Sequence, residues 1–142
     1  MKRIENWQWA LSAFLAEREE SLFRYGRHDC CMFACDAVLA ITGVDVGAVY
    51  RDTYQNRTEA MKAVSHQTGV RSIRAAAEKV TKAHAMPQLA VLTAQRGDVV
   101  MIRRGVDYSL GIVDLTGAKI AVAAARGVLR VDLQFAIAAW RV

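Results

Sequence analysis

Tyr25-Gly26-Arg27-His28-Asp29-Cys30-Cys31-Met32-Phe33-Ala34-Cys35-Asp36-Ala37-Val38 is the stretch on which the reading of this chain turns. A Tyr-Gly turn runs into an aspartate, two cysteines and an apolar run. Aspartate is a residue type that accepts backbone N–H groups at a helix start, so the spacing predicts a helix from Asp29, ended by Gly43. Cys30, Ala34, Ala37/Val38 and Ile41 fall on one face of it, and Ala34, Ala37 and Ala40 are small enough for close packing. A cysteine at such a start meets the positive end of the helix dipole and unpaired N–H groups. These raise its thiolate fraction and can hold an oxyanion.

On the N-terminal side, Trp7, Leu11, Phe14 and Leu15 recur at helical spacing, predicting an amphipathic helix over 6–18 with Asn6 as N-cap. On the other side, Val44 to Asn56 reads as a loop anchored by Tyr50 and Tyr54. Helices follow over 57–67, before Gly69, and over 72–82; Pro87, the only proline, marks a connection. After Gly97 the pattern changes. Asp98–Arg103, Tyr108–Val113, Lys119–Ala123 and Val128–Val131 are strand-like, with turns at Arg104-Gly105, Thr116-Gly117 and Arg126-Gly127. A short helical piece, Leu133–Ala138, and a final strand, Ala139–Val142, complete the reading. Helices first and an antiparallel sheet afterwards is an α+β order. At 142 residues, 54% of them apolar, the chain is expected to form one domain over 1–142.

Composition narrows the function classes. The N-terminus lacks an apolar run with a cleavage site, so no signal peptide is expected. The longest nearly uncharged run, Cys30 to Val44, contains Asp36 and is too short to span a bilayer. Net charge is +5, but the densest basic groups, Arg71/Arg74 and Arg103/Arg104, are not interleaved with aromatics as a nucleic-acid platform would be. The reading is therefore a solvated basic surface with no nucleic-acid partner. The three cysteines lie within six residues and cannot staple distant segments. Cys31 and Cys35, at i and i+4, offer a soft-metal cluster with His28 and Cys30. No second Cys/His pair exists in the chain, so helix packing without a metal or cofactor is the preferred reading. Trp7 and Trp140 are expected in the core, and Trp9, on a different helix face, at a partner contact.

The ordered set Tyr25-Gly26-x-x-Asp29-Cys30, Gly43-Val44-Asp45, Arg96-Gly97-Asp98-Val99-Val100 and Leu110-Gly111-Ile112-Val113 resembles the NlpC-type cell-wall cysteine peptidases. The form Gly-x-His-Asp-Cys-Cys-x-Phe-Ala-x-Asp-Ala-Val, with a C-terminal Ala-Trp-Arg-Val, is similar to a phage and prophage branch found near tail genes. The resemblance implies a papain-like fold, N-terminal helices packed on a C-terminal antiparallel sheet, with Cys30 matching the nucleophile. It places Ser109 where the strand histidine belongs. Only Ala and Val stand near 121–123, where a third polar residue is expected. Serine does not take a thiol proton near neutral pH as imidazole does.

His28 is left with two readings, a structural or capping role and a catalytic or ligand role, and Asp29 either orients His28 or serves as the N-cap. The resemblance implies a tail-tip structural or assembly protein, made in the host cytoplasm and carried in the virion tail, with other tail proteins as partners. The alternative is an active hydrolase of peptidoglycan peptide amides, with Cys30 as nucleophile and His28 or a partner residue as base. His66 and His84 read as surface residues.

Overall fold

The computed structural model describes residues 1–142. Four helices come first: α1 (Trp7–Arg18), α2 (Met32–Thr42), α3 (Arg57–Thr68) and α4 (Ile73–Ala83). Six strands follow: β1 (Gln88–Leu89), β2 (Val99–Arg104), β3 (Asp107–Val113), β4 (Lys119–Ala123), β5 (Val128–Asp132) and β6 (Ala136–Trp140). They form an antiparallel sheet in the order β1-β6-β2-β3-β4-β5. The expected α+β order is present.

Alternation along the strands divides two apolar clusters. Val99, Met101, Ile112, Ala121 and Ala123 pack with Leu11, Phe14, Phe33, Val38 and Ile41 between helices and sheet. Val100, Ile102, Val113, Ile120 and Val122 form a second cluster with Ala94, Ala136 and Ala139. Trp140 is buried and Trp7 packs on the first cluster, as expected, while Trp9 is 80% exposed.

Three local expectations are corrected. The regular helix α2 begins at Met32, not Asp29, because the Asp29 side chain takes the N–H groups of Cys31 and Met32 and holds Cys30 in the preceding turn. Only Leu133–Phe135 of the expected helical piece turns, as 3-10 helix. Ala136–Trp140 instead forms β6, because pairing with β2 and burial of Ala136, Ala138 and Ala139 override the helix preference of alanine. Asn6 occupies the N-cap position of α1 without a side-chain capping bond. The short β1 and a 3-10 turn at Val91–Thr93 lie in a segment read only as a connection.

The Gly97-Asp98 pair ties both ends of the chain to the sheet. Asp98 is fully buried. Its Oδ1 accepts from Arg3 Nη2 at 2.9 Å and Val142 N at 3.2 Å, and its Oδ2 from Arg141 Nε at 3.1 Å and Gln95 N at 2.9 Å. Gly97 has φ +83°, and a Cβ there would lie 2.9 Å from the Trp7 ring. Arg3 stacks 4.2 Å over that ring. Removing the carboxylate leaves two guanidinium groups and two N–H groups without their acceptor. Asp98→Ala is expected to lower stability by about 3–5 kcal/mol, read as a drop in the urea midpoint with the slope unchanged.

Candidate functional site

Asp29 organises the cysteine segment. It is 1% exposed, and both carboxylate oxygens are fully engaged. Oδ1 accepts from Cys31 N at 2.9 Å and Met32 N at 2.7 Å. Oδ2 accepts from Gly26 N at 2.8 Å and from the Tyr54 hydroxyl. The carboxylate thus caps α2, closes the Tyr25-Gly26 turn and anchors the 44–56 loop. Burial beside this carboxylate pushes the Tyr54 hydroxyl's pKa well up. The N-cap position of the regular helix is Cys31, so Asp29 caps the turn that leads into α2 from two residues earlier, and it makes no hydrogen bond to His28.

Cys30 sits at the first turn, and its main chain is gripped by β3. Leu110 N donates to Cys30 O at 2.7 Å, and the fully buried Ser109 hydroxyl lies 3.4 Å from the same oxygen. Ser109 therefore lies beside Cys30 in space, but its hydroxyl meets the main chain. On β3 it is Asp107, Tyr108 and Leu110 that line the cleft described below. Ala121, Val122 and Ala123 are buried on β4 and bring no polar group.

The three sulfurs differ in environment. Cys30 Sγ and Cys31 Sγ are 3.9 Å apart. The Cys31 S–H lowers the Cys30 pKa, outweighing burial and the charge of Asp29. Cys31 moves the other way, well up, through the same contact and its burial. Burial, reinforced by Asp36, pushes Cys35 up to about 12. No group of three or more His, Cys, Asp or Glu residues is arranged to hold a metal ion.

His28 bonds to neither of these sulfurs. It is 3% exposed, with Nε2 2.9 Å from Gly127 O and Nδ1 3.4 Å from the Arg18 guanidinium. A carbonyl takes the Nε2 proton and Nδ1 accepts from Arg18, which fits the neutral ring. Phe33 packs against the ring at 5.7 Å. Burial lowers the His28 pKa, and the Gly127 bond only partly offsets this. Of its two readings, the geometry supports the structural one.

Sequence reasoning missed the cleft itself. A groove of about 730 Å³ runs between α2, the α3–α4 hairpin and β3, and Cys30, Cys31 and Cys35 line one wall. Tyr25, Tyr54, Met61, Val64, Ile73 and Val80 supply much of the rest. No histidine lines it. Its signal in the sequence was faint: the apolar positions of α3 and α4 were visible, but not that α3 buries no residue completely.

The fold and site together define an α+β protein with a cysteine at a helix start, set in a largely apolar cleft. The family model described as "Domain of unknown function (DUF6950)" matches residues 2–142, and the chain belongs to that family. No curated protein matches it.

Two outcomes follow. With its folded pKa lowered, His28 binds a proton less readily than in the unfolded chain, where the value is 6.5. Stability is then fully present above that value and falls as pH drops from it through the folded pKa. Thermal unfolding between pH 7.5 and 5 should show this slope, and His28→Gln should flatten it. In addition, alkylation across pH should modify Cys30 first, and Cys31→Ala should raise its apparent pKa by removing the S–H donor. Peptide mapping of the adducts checks both.

Proposed function

We propose that this chain is a structural or assembly component of a phage tail, built on a papain-like, NlpC-type fold whose hydrolytic machinery has given way to packing. The observation that carries the reading is the neighbourhood of Cys30: no imidazole lines its cleft, and β3 meets it with Ser109 on the main chain. His28 is committed to Gly127 and Arg18. The N–H groups of Cys31 and Met32 are taken by Asp29, while the N–H of Cys30 itself stays beside its sulfur. Ser109, His28 and Asp29 are spent on holding the fold together.

The tail assignment rests on the resemblance of the cysteine motif and the C-terminal Ala-Trp-Arg-Val to the tail-associated branch. Other tail proteins are the proposed partners, met during assembly in the host cytoplasm, with Trp9 at 80% exposure as one contact. No helix is long and apolar enough to cross a membrane. One observation favours a second reading: the lowered pKa of Cys30 in an open cleft. In that reading the protein is a peptidoglycan-peptide hydrolase, and a partner residue brings the missing base.

Proteomics of purified virions and tail-assembly intermediates tests the first reading, and the chain should be present in one or both. Absence from both ends it. Purified peptidoglycan should not be turned over by the isolated protein. Release of new amino termini that vanishes with a folded Cys30→Ala variant establishes the hydrolase instead.

A further inference from the structure

The composition of the cleft carries an inference that does not depend on the tail reading. We propose that the cleft binds one free long-chain fatty acid, its hydrocarbon tail between α2 and the α3–α4 hairpin and its carboxylate at an arginine-bearing rim.

The size is right: pockets for small ligands run to roughly 300–1,000 Å³ and are mostly apolar with a few placed polar groups, and this one is about 730 Å³. Helix α3 supplies the second argument. Its apolar residues Met61 and Val64 face the cleft, yet no residue of α3 is fully buried. An amphipathic helix normally buries such a face against the core. Here that face looks across open space at apolar side chains of α2 and α4, and a hydrocarbon chain laid between them covers both walls.

The polar inventory selects the occupant. An extended peptide needs partners for its backbone N–H and C=O groups. The cleft offers few: Asp29 is fully engaged, the Thr81 hydroxyl bonds back to its own helix and Leu110 N is held by Cys30 O, which leaves the hydroxyls of Tyr25, Tyr50 and Tyr108, fewer than the backbone of an extended peptide asks for. A helical segment satisfies its own backbone but is about 10 Å across, so roughly two turns would fill the whole volume. An acyl chain asks for no hydrogen bonds. A two-chain lipid exceeds the space.

Charge selects the head group. Of the exposed lining arginines, Arg57 is paired with Asp107 and Arg104 donates to Ala123 O at 2.7 Å, which leaves Arg71 as the uncommitted cation. The remaining carboxylate of the lining, Asp29, is buried. An anionic head is favoured over a cationic one of equal length.

The test is a calorimetric titration of the full-length protein with decanoate and dodecanoate below their micellar range. Cys30 alkylation is followed in parallel, since this sulfur lines the same cleft. Expected are one saturable site, affinity rising roughly ten-fold for the two added methylenes, and slower alkylation on saturation. Val64→Lys, on a helix that buries no residue completely, should leave the unfolding temperature unchanged and weaken binding at least ten-fold. Arg71→Glu should weaken dodecanoate several-fold and narrow its advantage over dodecyltrimethylammonium. The proposal is overturned by absence of saturation or by binding that Val64→Lys does not touch. Equal affinity for the cationic amphiphile also overturns it. So does protection of Cys30 by anionic phospholipid vesicles or by an apolar helical peptide while dodecanoate gives none.

Discussion

The carboxylate of Asp29 is the interaction on which the cysteine segment depends. A buried carboxylate costs several kcal/mol in lost hydration. It is tolerable only if its lone pairs are filled, and hydrogen bonds to a charged group return about 1.5–3 kcal/mol each. Gly26, Cys31, Met32 and Tyr54 supply those bonds from the turn before α2, from its first residues and from the distant loop. No cation takes part. The position of Cys30 is thus a by-product of satisfying Asp29: the sulfur lies where the capped turn leaves it. Two donors of this turn, the N–H groups of Cys31 and Met32, are used up in the same act.

Two further buried carboxylates extend this scheme with arginines. Asp36 on α2 is held by Arg18 of α1 at 2.5 Å and by Arg51 of the loop at 2.6 Å. Asp98 joins both ends of the chain to the sheet. Together they fix α1, α2, the loop and the termini to β2 and its neighbours. The α3–α4 hairpin lies outside this network. Arg57 of α3 reaches Asp107 of β3 through an exposed ion pair, and Lys79 bonds to Thr68 O within the hairpin. Exposed pairs contribute about 0–1 kcal/mol. The cleft therefore lies between a strongly tied wall and a weakly tied one.

Much of the fold was legible because periodicity and punctuation agree. All four helices and β2 to β5 fall within a few residues of their expected bounds, marked by Gly43, Gly69 and the glycine-bearing turns. The end of the chain was misread because an alanine-rich run has no strong period of its own; Ala136–Trp140 becomes a strand only because β2 presents an edge to it. At the site, Asp29 as a cap could be read from residue type. Its bond to Tyr54, 25 residues away, could not, although Tyr54 was marked as an anchor. His28 was open between two roles because the decision lies with Gly127, 99 residues distant. The cleft was invisible because it depends on what α3 fails to bury.

What the site can do chemically follows from the company of its sulfur. A thiol polarised by a second thiol attacks an electrophile more readily than an isolated one. Turnover asks for more. An amide leaving group must be protonated as it departs, and water must then be activated against the thioester. An imidazole does both by giving and taking one proton near neutral pH. Cys31 does neither, because its own pKa is pushed well up, and Ser109 is turned to the main chain. Asp29 has no free lone pair to offer in that direction. These neighbours leave Cys30 a thiol open to modification by what enters the cleft. Asp107 is the carboxylate of the cleft wall whose charge reaches this sulfur besides Asp29, and it is paired with Arg57 of α3.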